Sequence, residues 1–111
     1  MTGPLISCGE QAWWQRRAAA ELAAILDACQ DLPRITWTVG PAGSVLAGRV
    51  GGLAPAGLVR ETFSAWEAAL ALGEHREDRL GSGATWLHAA ARRNQVTVGL
   101  TATVLETEED L

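Results

Sequence analysis

The order of hydrophobic patterns along this chain is the feature that most constrains its fold. A helix with one apolar face is followed by two strand-like runs joined by a tight turn. This unit occurs twice, over residues 10–50 and 55–105. Amphipathic helices and half-buried strands must bury their apolar sides against each other. We therefore expect an α+β two-layer sandwich of αββαββ order, with a four-stranded antiparallel sheet and two helices on one of its faces.

The two helices are predicted from apolar residues at helical spacing. The first helix is expected to run to about Asp31, because Pro33 cannot extend it. The second begins near Pro55, and Gly73 is its expected C-terminal stop. Residues 74–83, which are charged and contain two glycines, are expected to form a loop. The apolar stripe of the first helix comprises Trp14, Ala18, Leu22, Ile25, Leu26, Cys29 and Leu32, and that of the second comprises Val59, Phe63, Trp66 and Leu70.

The last two strands, 84–92 and 95–105, allow a register to be predicted. If Arg93 and Asn94 form the turn, the alternating apolar residues of both strands share one face. The opposite, outer face then carries the candidate partner-binding residues, which are Trp86, His88, Arg92, Thr97, Thr101 and Thr103. In this register Trp86 lies diagonally near Gly99, where it either shields the glycine backbone or anchors an interface.

Motifs for catalysis or metal binding are not found. His75 is surrounded by Glu74, Glu77 and Asp78, and adjacent residues rarely converge on one ion, so we interpret this run as a solvated charged segment. Two cysteines, Cys8 and Cys29, make neither a disulfide framework nor a zinc site. We therefore predict no catalytic residue, no cofactor and no metal.

Composition and charge limit the classes of partner. The net charge is −4 and all nine basic residues are arginine, which is typical of a GC-rich bacterial gene. An acidic chain with few aromatic residues disfavours nucleic acid, although single-stranded binding by Trp86 with Arg49, Arg92 and Arg93 remains a weaker alternative. No apolar run approaches the ~18 residues of a membrane span, and residues 1–7 do not resemble a secretion signal. We expect one cytoplasmic domain over 1–111, with frayed tails at 1–7 and 106–111.

The outer sheet face leads to the functional hypothesis. A face of Trp, His, Ala and Thr is less polar than one that only contacts water. We expect a small interaction protein that uses this face to form a homodimer or to bind another protein. The alternative is a small-molecule-binding protein or enzyme that uses His88, with Thr101 or a loop carboxylate.

Overall fold

The computed structural model describes residues 8–40, 44–51, 54–81 and 83–105. These ranges contain two helices and five strands in αββαβββ order, which confirms the α+β class. The elements are α1 (Cys8–Ala28), β1 (Thr36–Val39), β2 (Val45–Val50), α2 (Ala56–Ala69), β3 (Gly73–Arg79), β4 (Ala84–Arg93) and β5 (Val96–Leu105). The predicted tails, 1–7 and 106–111, lie outside the described residues.

A mixed sheet of five strands replaces the predicted four-stranded antiparallel sheet. Its strand order is β1-β2-β5-β4-β3. β2 and β5 are parallel, whereas all other neighbours are antiparallel. Parallel neighbours need a long crossover connection, and here α2, β3 and β4 lie between β2 and β5 in the chain. The prediction was wrong because alternation within two hairpins does not encode the direction in which the hairpins meet.

The segment predicted as a loop at 74–83 contains the additional strand. β3 pairs antiparallel with β4 and has an irregularity between Gly73 and Arg76. Glu74 lies in this irregularity with a φ of 53°. Every residue of β3 is exposed, so its charges cost little desolvation and no apolar alternation is needed. Gly73 starts this strand instead of ending α2, whose C-terminal cap is Leu70.

β5 lies at the centre of the core because it is hydrogen-bonded to a strand on each side. Its inward residues are almost completely buried, and they pack with the predicted stripe of α2. Ala18 and Ile25 of α1 belong to the same cluster, so both helices cover the same face of the sheet. The buried apolar residues of β5, of α2 and of its C-terminal cap are Val96, Val98, Leu100, Ala102, Val104, Val59, Phe63, Trp66 and Leu70.

The turn between β4 and β5 is one residue later than predicted. Asn94 and Gln95 have φ values of 50° and 70°, the positive values that a two-residue type I′ hairpin turn requires at both central positions. Arg93 consequently pairs with Val96. The register differs by two residues from the predicted one, which leaves every side chain on its predicted face.

Helix α1 is anchored to this turn by a buried carboxylate. Glu21 is only 7% exposed and accepts hydrogen bonds from Asn94 Nδ2 at 2.8 Å and Arg93 Nε at 3.3 Å. Arg93 Nη1 also donates to the carbonyl of Leu70 at the end of α2. Leu26, by contrast, was wrongly placed on the buried stripe, since it is 45% exposed.

We expect Glu21→Ala to reduce the free energy of unfolding by about 1–3 kcal/mol, since it removes the shared acceptor of two hydrogen bonds, one of them from a charged group. Urea unfolding followed by circular dichroism measures this change. Glu61→Ala, at an exposed position of α2, is the matched control and should change stability by less than about 0.5 kcal/mol. Equal effects of the two variants would show that the Glu21 contacts do not stabilise the fold.

Candidate functional site

The six predicted partner-binding residues all lie on the face of the sheet opposite the helices, which we call the outer face. They form three directly opposed cross-strand pairs between β4 and β5, namely Trp86 with Thr103, His88 with Thr101, and Arg92 with Thr97. Ala90 and Gly99 form a further pair of this face, between the His88 pair and the Arg92 pair. The alternation inferred from the sequence thus places these residues on one face, and the position of the turn determines which of them are paired across the two strands.

The outer face extends beyond the predicted residues onto three further strands. Ala47 of β2 pairs with Gly99, and Thr38 of β1 pairs with Ala47, which continues the row of small side chains. The next row contains Arg49 beside Thr101, and on the other side Arg76 beside His88. Sequence reasoning did not place these residues in rows with those of β4 and β5, because it did not predict the order of the hairpins or the strand β3.

Trp86 does not cover Gly99, so the first of the two interpretations of its position is wrong. Its ring stacks on His88, with ring centroids 5.1 Å apart and an interplanar angle of 11°. A Cβ atom added at Gly99 would meet nothing within 4 Å. The two-residue change of register explains this, because Trp86 now pairs with Thr103 and is separated from Gly99 along the strands.

The surroundings of His88 resemble those of a packed side chain and not those of a general base. Its Nδ1 atom is buried with no hydrogen-bond partner among the described residues. A general base usually has an orienting group bonded to its second ring nitrogen. A shallow pocket of about 200 Å³ is nearby, lined by Arg49, Val50, Trp86, Thr101, Ala102 and Thr103 but not by His88.

Arg93, one of the arginines in the nucleic-acid alternative, lies on the other side of the sheet. Its guanidinium binds Glu21 and the Leu70 carbonyl. Arg92 remains on the outer face, where Nη2 donates to the Gln95 carbonyl at 3.2 Å. The arginines that were expected to flank Trp86 therefore do not form one basic surface.

An apolar groove on the helix side of the sheet was not predicted. It has a volume of about 410 Å³ and lies between the end of α1, the 29–35 connection and β1. Two indole rings in its wall, Trp37 and Trp66, meet edge to face with centroids 5.7 Å apart. We call this the Trp37 groove, and its lining residues are Leu26, Cys29, Gln30, Leu32, Arg34, Ile35, Trp37 and Trp66.

The two indoles of the groove differ in their hydrogen bonding. Trp66 Nε1 donates to the Pro33 carbonyl at 2.8 Å, whereas Trp37 Nε1 is buried with no acceptor among the described residues. An unsatisfied buried donor costs about 1–3 kcal/mol. Trp37 is held by its cross-strand partner Gly48, because a Cβ at Gly48 would lie 3.0 Å from the indole ring. This Trp–Gly pair was the sequence signal that could have located the groove.

A charged cluster joins β3 to α2. His75 Nδ1 lies 2.7 Å from Glu67 Oε2, and His75 Nε2 lies 3.0 Å from Glu77 Oε2. Hydrogen bonds to Glu77 and then Glu67 raise the pKa of His75 above its usual 6.5. The bond from His75, followed by one from Arg60, lowers the pKa of Glu77 below its usual 4.5. The run read as solvated from the sequence therefore contains a specific bridge between strand and helix.

Known proteins provide no assignment for this site. No family model matches the chain, no curated protein matches it, and no solved structure matches it.

Across the described residues, neither helix is long and apolar enough to cross a membrane. The same residues contain no group of three or more His, Cys, Asp or Glu side chains that could hold a metal ion.

The His75 bridge predicts a pH dependence of stability. A raised His75 pKa in the folded state means that the bridge stabilises fully below pH 6.5 and less as the pH rises through the folded-state pKa. A lowered Glu77 pKa means that its contribution is present above pH 4.5 and is lost as the pH falls through the folded-state value. The stability difference between wild type and His75→Gln should therefore be largest between about pH 4.5 and 6.5.

Urea unfolding of both proteins from pH 4 to pH 9 measures this difference. The energy is expected to be small, because the His75 side chain is 40% exposed and solvent screens the charges. A difference that stays constant from pH 5 to pH 9 would contradict the bridge.

Proposed function

We propose that this chain is a small interaction protein that forms a homodimer through the outer face of its sheet. The observation that carries the proposal is a ridge beside a furrow on that face. The stacked rings of Trp86 and His88 form the ridge. The furrow is the neighbouring row of Thr38, Ala47, Gly99 and Ala90.

The furrow has room for side chains from another molecule. Open space extends at least 4 Å around the position of a Cβ on Gly99, and the residues beside it on both strands are alanines. A two-fold axis places the ridge of one copy against the furrow of the other, and the reverse contact follows by symmetry. Sheets pack face to face at about 10 Å when side chains interdigitate in this way.

Exposed apolar side chains support association through this face. Val45 on β2 and Leu105 on β5 are 40% and 52% exposed, and both lie on the outer face by strand alternation. Val45 is paired with Thr97 at one end of β5 and Leu105 is at the other end, so apolar side chains are exposed on both sides of the ridge and the furrow. Charged residues border the ridge and the furrow: Arg49 and Arg76 lie beside the Thr101–His88 pair, Asp78 lies beside Trp86, and Arg92 lies near the end of β4.

The edges of the sheet are poorly suited to association. β3 forms one edge, and six of its seven residues are charged or titratable. Charged edge strands oppose pairing with another chain. β1 forms the other edge and is only four residues long. Face-to-face packing is therefore favoured over extension of the sheet across two copies.

We expect wild type to have twice the 11.7 kDa chain mass in light scattering behind size-exclusion chromatography. Ala47→Glu should give a monomer, because a longer charged side chain in the furrow of both copies occupies the space that the ridge of the other copy would fill. Ala47 is exposed within one chain, so the variant should retain its circular dichroism spectrum.

The matched control is Ala23→Glu, which adds the same charge at an exposed position of α1 and should remain a dimer. A monomeric wild type at high protein concentration would contradict the proposal. A dimer that survives Ala47→Glu would place the association on another surface.

A further inference from the structure

We propose that the Trp37 groove is a binding site for a small apolar carboxylate, whose ring or branched chain lies against the indoles and whose anionic group binds Arg34. This site is on the helix side of the sheet. It is separate from the outer face, so dimer formation does not require it and would not cover it.

The size and lining of the groove suit a small molecule. Its volume of about 410 Å³ falls within the range of about 300–1,000 Å³ that ligand sites occupy. Leu32, Ile35 and the two tryptophans form apolar walls. Flat rings and short branched chains gain contact with such walls without ordering many side chains.

The groove is preformed in the described structure. The Trp66 Nε1 bond to the Pro33 carbonyl fixes the 29–35 connection against α2. Gly48 lets the Trp37 ring approach β2 closely, and Trp66 packs against that ring from the other side. A rigid site loses less entropy when a ligand binds.

The charge of the ligand follows from Arg34. Its side chain lines the groove and is exposed, and in the described part of the chain no hydrogen bond or ion pair involves it. None of the lining residues is acidic. Gln30, the other polar residue of the lining, adds an amide donor. A planar carboxylate matches the paired donors of a guanidinium.

A second groove extends the apolar surface on the other side of Arg34. Its volume is about 280 Å³, and Val50, Ala54 and Leu58 are among its lining residues. Arg34 lines both grooves and therefore lies where the two apolar surfaces meet.

The test uses 2-naphthoate as the probe and neutral 2-naphthamide as its uncharged analogue, in isothermal titration calorimetry. Wild type should bind the acid about tenfold more tightly than the amide, which is the size of effect expected for a charged hydrogen bond. Arg34→Gln should remove this preference and leave amide binding unchanged. Arg16→Gln, an exposed charge-matched control on α1, should bind the acid like wild type.

A second pair of variants tests the location of the probe. Leu26→Glu places a negative charge in the wall of the groove at a 45% exposed position and should weaken acid binding at least tenfold. Ala20→Glu, on the same helix but outside the lining, should not. In a Cys8→Ser background, bound 2-naphthoate should also slow the reaction of Cys29 with a thiol reagent, because Cys29 lines the groove.

The proposal is overturned by absence of naphthoate binding at millimolar concentration, by equal affinity of wild type for acid and amide, or by binding that Arg34→Gln and Leu26→Glu leave unchanged. These outcomes are independent of the oligomeric state.

Discussion

The hydrogen bonding of β5 to strands on both sides is the constraint on which the rest of the structure depends. Parallel pairing with β2 and antiparallel pairing with β4 place this ten-residue strand at the sheet centre. Its inward residues are buried against both helices. Because side chains alternate along a strand, the threonines and Gly99 must then face the opposite side. The helices consequently cover one face, and no element of the described residues covers the outer face.

The two faces of the sheet offer different chemistry. The helix side contains the apolar Trp37 groove, with Arg34 beside it. The outer face is broad and shallow, with a ridge of stacked rings and a row of small residues. A recessed groove suits a small molecule. A ridge beside a furrow suits a second copy of the chain, because a two-fold axis places each ridge against the furrow of the other copy. Each face also contains a buried ring nitrogen that has no hydrogen-bond partner among the described residues, Trp37 Nε1 on the helix side and His88 Nδ1 on the outer face.

Local patterns predicted the elements that bury an alternating or helical stripe. The buried stripe of α2 could be predicted from its helical spacing. The side chains of β4 and β5 that face the core could be predicted because a one-residue slip would expose the apolar ones. β3 could not be predicted, because an edge strand with all its residues exposed needs no apolar alternation. The turn at Asn94 and Gln95 was missed because glutamine is uncommon at positive φ. The hydrogen bonds from Arg93 and Asn94 to Glu21 join residues distant in sequence, and no local pattern indicates them.

The candidate site was only partly predictable for a related reason. Its six predicted residues lie on two strands whose facing could be predicted, and all six are on the outer face. The row through Ala47 and Thr38 depends on the parallel pairing of β2 with β5, which joins residues distant in sequence. The Trp37 groove depends on packing between α1, the 29–35 connection and β1, and no single periodic pattern encodes such a contact.

The central claim is that two copies associate with their outer faces together and their helices outside. Pulsed electron–electron double resonance, which measures the distance between two spin labels, tests this geometry directly. A nitroxide is attached to a single cysteine, either Thr36→Cys on the outer face or Ala24→Cys on the exposed side of α1, in a Cys8→Ser/Cys29→Ser background. We predict a dipolar interaction between copies in both samples, with a shorter distance for position 36 than for position 24. The absence of an interaction, or a shorter distance for position 24, would contradict the claim.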